Sequence, residues 1–138
     1  MKPSPSAPVL RRLEKNAREA SARAYAPYSK FAVGAAVLAG SGKIYAGCNV
    51  ENACYGLGIC AERAAVFAAV AAGERAIRCV VIHTPTATPT APCGACRQVI
   101  NEFGPEARVV SVCAAAGRID TTLDKLLPGA FGPGNLDL

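Results

Sequence analysis

The chain is poor in the features that would send it into a membrane, out of the cell or onto a polynucleotide. No apolar stretch approaches the roughly 20 residues that a membrane-spanning helix needs, and the first residues, M-K-P-S-P-S-A-P, lack the apolar centre of a secretory signal. The expected location is therefore cytoplasmic, with no membrane partner. Positive charge is also scarce as a block. Lys2, Arg11, Arg12, Lys15, Arg18, Arg23 and Lys30 contribute much of the net +5, but they are spread along a helical pattern beside Glu14 and Glu19. That arrangement reads as a solvated helix face and offers no aromatic-lined basic groove for a nucleic acid polymer. The single histidine, His83, has no acidic residue two places on, which points to a strand-end or surface role and not to metal binding. No internal repeat is visible. With 138 residues, 51% of them hydrophobic, the chain can bury one sizeable core and not two.

Cysteine is what the chain has in abundance. Seven thiols in a protein expected to be cytoplasmic, and an odd number of them, argue against a disulfide framework. Metal binding, catalysis or plain burial must account for them.

Three prolines among the first eight residues suggest a flexible arm over 1–8. Val9, Leu10, Leu13, Ala17, Ala20 and Ala24 then recur at helical spacing until Pro27. Two apolar runs, F-A-V-G-A-A-V-L-A from 31 and I-Y-A-G-C-N-V from 44, flank S-G-K and predict a hairpin whose turn uses Gly42. Residues 49–58 read as a loop. An alanine-rich helix opens at Cys60 and stops at Gly73. The β-branched run I-R-C-V-V-I at 77–82 suits a strand buried on both faces. A Thr/Pro loop leads to a third helix opened near Pro92 and closed at Gly104, then a strand at 108–113 and a short strand and helix around 119–127. Strands alternating with helices predict a three-layer α/β/α sandwich with one mixed sheet of about five strands. The boundaries expected are a single domain over 9–131 and a tail over 132–138.

Cys93 and Cys96 form C-x-x-C at the start of the third helix, a spacing at which two sulfurs can share one metal ion. Alone the pair could equally be a redox dithiol or two small buried residues. Cys60 strengthens the metal reading. It also opens a helix, and helices that follow neighbouring parallel strands begin at the same sheet edge, where their N-termini favour thiolate. Three thiolates on Zn²⁺ leave one tetrahedral position open, the mark of a catalytic site. Glu62, in a first turn whose side chains lean toward the N-terminus, could reach a point just beyond the helix end. Three thiolates make zinc net negative and a weaker Lewis acid, so a cation bonded to the sulfurs would offset them; Arg63 is the candidate and Arg97 a second.

C-A-E-R at 60–63 followed by P-C-G-A-C-R-Q at 92–98 resembles the zinc-dependent cytidine deaminases of the small homotetrameric type. P-Y-S-K-F-A-V-G-A-A-V at 27–37, G-C-N-V-E-N-A-C-Y-G at 47–56 and L-L-P-G-A-F at 126–131 carry the same likeness. The resemblance implies deamination of cytidine and deoxycytidine to uridine and deoxyuridine, with one zinc per subunit held by Cys60, Cys93 and Cys96. Glu62 would shuttle protons as zinc-activated water attacks C4, and Arg63 would bond to the zinc thiolates. Phe31 and Ala61 would contact the nucleoside, and Asn49 with Glu51 would hold the ribose hydroxyls. Ala53, Tyr55 and Phe131 would reach the site from neighbouring subunits of a homotetramer. Cys54, where a small hydroxyl residue is usual, and Gly58-Ile59, in place of a more polar pair, depart from the family pattern.

Other readings compete residue by residue. Cys48, Cys54, Cys79 and Cys113 are by default small buried hydrophobes, Phe31 and Tyr55 core aromatics, and Asn49 and Glu51 turn residues. At the level of function, the alternatives are deamination of another aminopyrimidine nucleoside, a zinc-stabilised interaction module, and a dithiol oxidoreductase acting through Cys93 and Cys96.

Overall fold

A computed structural model describes residues 4–136. The chain opens with helix α1 (Ala7–Ser21), continues through the hairpin strands β1 (Gly34–Ala39) and β2 (Ile44–Cys48), and passes a short 3₁₀ turn at Tyr55–Leu57. Helix α2 (Ala61–Ala71), strand β3 (Ile77–His83), helix α3 (Gly94–Phe103), strands β4 (Arg108–Val112) and β5 (Arg118–Thr122) and the one-turn helix α4 (Leu123–Leu126) complete the order, with a 3₁₀ turn at Pro133–Leu136.

The five strands form one mixed sheet in the order β2-β1-β3-β4-β5. β1 is antiparallel to both β2 and β3, so β2 and β3 run the same way, and β4 continues parallel to β3. The alternation of side chains sorts the sheet into two cores. Ala35, Val37, Val80, Ile82 and Val109 pack with Ala61, Ala65, Val66, Ala69 and Ile100 of α2 and α3. Ala36, Leu38, Cys79, Val81 and Val110 pack with Leu13 and Ala17 of α1. This is the three-layer α/β/α architecture expected, and full burial of each such Val or Ile contributes roughly 1.5–3 kcal/mol. Among the described residues no helix is long and apolar enough to cross a membrane.

Gly47 sets the spacing of β2 against α2. A Cβ there would lie 2.5 Å from the backbone nitrogen of Ala65, closer than atoms approach, so strand and helix meet backbone to backbone. Gly42, at φ 92°, makes the hairpin turn as expected.

Several boundaries differ from the sequence reading. The helix expected from Val9 begins at Ala7, capped by the Ser6 hydroxyl, which accepts from the N–H of Val9. Proline fits a first helical turn, which lacks N–H partners anyway, so the arm expected over 1–8 is cut short. Pro5 is buried and Ser4 accepts a 2.8 Å bond from Arg108; residues 1–3 lie outside the described residues. The helix ends at Ser21, although the apolar periodicity runs on to Ala24, as the chain leaves to bridge Tyr25 with Val50. Strand β2 stops at Cys48, where the loop expected over 49–58 begins, and within that loop Val50 bridges Tyr25 and Ile59.

Candidate active site

Two strands deliver the site. β2 and β3 point their carboxyl ends toward the same sheet edge, and the helices that follow them, α2 and α3, begin there. Cys60 and Cys93 occupy the equivalent position in each helix, the residue just before the first turn, and neither side chain caps its own helix. A Ser, Thr, Asp or Asn there would normally turn inward to bond the helix N–H groups; the two thiols instead point outward, toward each other. Their sulfurs are 3.8 Å apart. Cys96, buried in the first turn of α3, supplies a third sulfur, and all three lie within 4.8 Å of one another.

The donor set fits a metal ion. Zn–S bonds of about 2.3 Å in a tetrahedron place sulfurs roughly 3.8 Å apart, the separation of Cys60 and Cys93. The protons are unequally held among the sulfurs. Hydrogen bonding from Cys96, helped by Arg63 and Cys93, pulls the Cys60 thiol down to about 5, whereas the bond to Cys60 and burial push Cys96 well up. One anion is thus already favoured in the cluster by its neighbours.

Arg63 donates from Nη2 to Cys60 Sγ at 3.4 Å, and its own pKa is raised chiefly by that bond, with Cys96 as a further sulfur partner. The charge argument made for Arg63 from sequence therefore has its contact. Arg97 does not share it. Its Nε donates to the Pro92 carbonyl at 2.8 Å and its Nη1 to the Leu126 carbonyl at 2.9 Å, so it clamps the start of α3 to α4. Glu62 is 5% exposed. Burial, reinforced by the Cys60 charge, pushes its carboxyl up to about 7.

The site opens into a cleft of about 440 Å³ whose lining includes Cys60, Ala61, Glu62, Arg63 and Cys93. Phe31, Asn49, Glu51 and Tyr55 line the same cleft, which brings together residues from Ser29 to Cys93. Phe31 and Tyr55 are 38% and 78% exposed, not core aromatics; the Tyr55 ring stands 5.7 Å from that of Tyr28 on the rim. Asn49 is buried, accepting from the Val33 N–H at 2.9 Å and donating to the Phe31 carbonyl at 2.8 Å. Ala53 and Phe131 do not line the cleft. Ala53 is exposed, and Phe131 is tied by its carbonyl to Gln98 and Asn101 of α3 with its side chain largely exposed.

The cleft also contains residues that sequence reasoning missed, chiefly Ser29, Thr90 and Ala91. A signal existed for Ala91, since the residue before a proline is held extended and so carries 90–91 across the mouth ahead of Cys93. The remaining cysteines divide. Cys79 is buried as expected, but Cys54 is exposed, and Cys113 is half-buried with its thiol facing the Ala87, Ala115 and Gly117 carbonyls. His83 does end a strand, yet it is buried and bonded through Nδ1 to the Ser21 hydroxyl at 3.2 Å.

Comparison with known proteins agrees with this geometry. Residues 9–113 match the family model described as the cytidine and deoxycytidylate deaminase zinc-binding region. A cytidine deaminase of Sporosarcina psychrophila is 47% identical over 128 residues, covering 92% of this chain and 94% of the relative. One from Mycobacterium tuberculosis is 45% identical over 123 residues, 87% of each chain. The crystal structure of a cytidine deaminase from Burkholderia pseudomallei superposes with a TM-score of 0.84 at 48% identity, covering 88% of this chain and 98% of that one. With a cysteine triad able to hold a metal at the centre of the matched region, the chain belongs to the zinc-binding cytidine and deoxycytidylate deaminase family.

Proposed function

We propose that this protein hydrolyses cytidine and deoxycytidine to uridine and deoxyuridine with release of ammonia. The observation that carries the reading is a triad of cysteine sulfurs, all within 4.8 Å, at the start of the helix whose first turn sets the buried Glu62 in the lining of the cleft. Cys60, Cys93 and Cys96 hold a zinc ion, one per subunit. Bound there, zinc would supply Lewis acidity toward a water molecule. Arg63, bonded to the Cys60 sulfur, offsets the negative charge of three thiolates.

The protein's own groups do the proton work. The base lies against Phe31 and the Ala61 backbone, and the ribose lies toward Asn49 and Glu51. Glu62 takes a proton from the attacking water as its oxygen bonds to C4, and delivers it to ring N3. The same carboxyl then carries the second water proton to the 4-amino nitrogen. The C4–N bond breaks, ammonia departs, and the oxygen remains as the carbonyl of uracil.

The assembly is a homotetramer in which neighbouring subunits bring Ala53 and Phe131 to each cleft, and Tyr55, which lines the cleft of its own chain, also reaches that of a neighbour. Support comes from exposure in the single chain, where Tyr55 and Phe131 are 78% and 58% uncovered. Loss of the cytosine absorbance band when purified protein meets cytidine, with about one zinc per chain and the light-scattering mass of four chains, is the expected result. A zinc-loaded tetramer that turns over no cytosine nucleoside would reject the reading.

A further inference from the structure

The carboxylate of Glu51 is already engaged before any substrate arrives. Its Oε1 accepts the N–H groups of Tyr28 at 3.0 Å and Ser29 at 3.1 Å, and its Oε2 accepts a short bond from the Ser29 hydroxyl. The same hydroxyl accepts the N–H of Phe31 at 3.0 Å. Between Ser29 and Phe31, Lys30 sits at φ 61°, the left-handed region that costs a residue with a side chain about 1–2 kcal/mol. The strained residue turns the chain so that the Ser29 oxygen meets the Phe31 N–H. A continuous chain of donors results, from Phe31 N–H through Ser29 O–H to Glu51, in which each bond polarises the next. Ser29, Phe31 and Glu51 all line the cleft.

A carboxylate offers about four lone-pair sites. Three are taken by Tyr28 and Ser29, which leaves one. We infer that Ser29 is a positioning residue: it locks the Glu51 carboxylate in one orientation, so that a single acceptor site faces the cleft for one ribose hydroxyl. The inference rests on the proposed role of Glu51 toward the sugar. The bonds from Ser29 also hold the Glu51 carboxyl below the usual carboxylate range, which keeps it an acceptor. Without the hydroxyl, Oε2 loses its anchor and the terminal carboxylate torsion, intrinsically broad, is free to wander.

The test compares KM and kcat for cytidine, 2′-deoxycytidine, 3′-deoxycytidine and 2′,3′-dideoxycytidine in wild type, Ser29→Ala, Ser29→Thr and Glu51→Gln. In Ser29→Ala the KM for cytidine rises about tenfold, the size of one hydrogen bond to a charged group. The KM for the dideoxynucleoside changes less than about twofold, and kcat is little altered. Removing one of the two hydroxyls from the substrate abolishes the Ser29 effect, and removing the other leaves it. Ser29→Thr, which keeps the hydroxyl, restores the wild-type ratio of KM values. Should alanine leave the loop unfolded, Ser29→Cys, nearly isosteric with a weak donor, shows the same ratio change in smaller measure. An equal rise for all four nucleosides, or none, overturns the inference. If Glu51→Gln lowers discrimination while Ser29→Ala keeps it, Ser29 alone is wrong. If Glu51→Gln also keeps it, the sugar role of Glu51 falls and the inference with it. A wild-type protein inactive on all four rejects the deaminase reading instead.

Discussion

Cys60 and Cys79 are the same residue on neighbouring elements, and their surroundings drive them in opposite directions. At the sheet edge, hydrogen bonds from Cys96, Arg63 and Cys93 draw the Cys60 thiol down to about 5. In the middle of β3, fully buried and packed against α1, burial pushes Cys79 up to about 12. The sheet interior makes thiols inert; the edge where helices begin gathers them into a triad able to hold a metal. A cysteine's use in this fold is set by its distance from that edge, since the helix starts, the guanidinium and the other sulfurs all gather there.

The sharpest way to break the contrast is to remove an edge thiol. Cys96→Ala should abolish zinc binding and lower turnover by at least about a thousandfold, read by metal analysis and the cytidine assay on one sample; retained zinc would show that two sulfurs suffice. Glu62→Gln leaves the thiols intact and removes only the proton carrier. Zinc and assembly should persist while kcat falls by about 10²–10⁴, and near wild-type activity would disprove the acid/base assignment. Arg63→Gln keeps every ligand but withdraws the cation from Cys60, with an expected loss of about 10–100-fold in zinc affinity or activity, measured by competition with a chelator. An unchanged affinity would mean that the 3.4 Å contact carries no electrostatic benefit. The smallest effect belongs to the interior. Cys79→Ala should leave zinc and kcat unchanged, cost about 1 kcal/mol of stability in denaturant unfolding, and leave the number of thiols titrated by a disulfide reagent in the native protein unaltered. A fall in that number would show β3 to be more open than its packing implies.

Much of the site was readable because its chemistry is local. Cys60, Glu62 and Arg63 fall in one helix turn, Cys93 and Cys96 in another, and the parallel run of β2 and β3 brings the two turns to one edge. Spacing and topology suffice for that. What sequence could not supply were contacts that join distant loops. Nothing in P-Y-S-K reveals that Ser29 bonds Glu51, 22 residues away, or that His83 meets Ser21 across 62. Arg97 misled for the same reason. Its charge and its place beside the ligands suggested a thiolate partner, but its reach is decided by where the Leu126 carbonyl comes to rest. The layered sheet was legible from alternation of apolar runs, whereas the end of α1 was not, because the chain there leaves to pair Tyr25 with Val50, a residue far along the sequence.

Gly47 has no side chain, lies on a strand and is not among the residues that line the cleft. Yet the missing methyl fixes how near α2 can come to β2, and α2 carries Cys60 and Glu62 while α3 carries the other two sulfurs. Adding one carbon there would tilt half of the constellation against the other half as a rigid lever, and an ångström of such error is enough to spoil catalysis. A survey of tolerated substitutions should therefore find this position among the least forgiving in the chain, guarded for the sake of atoms it never contacts.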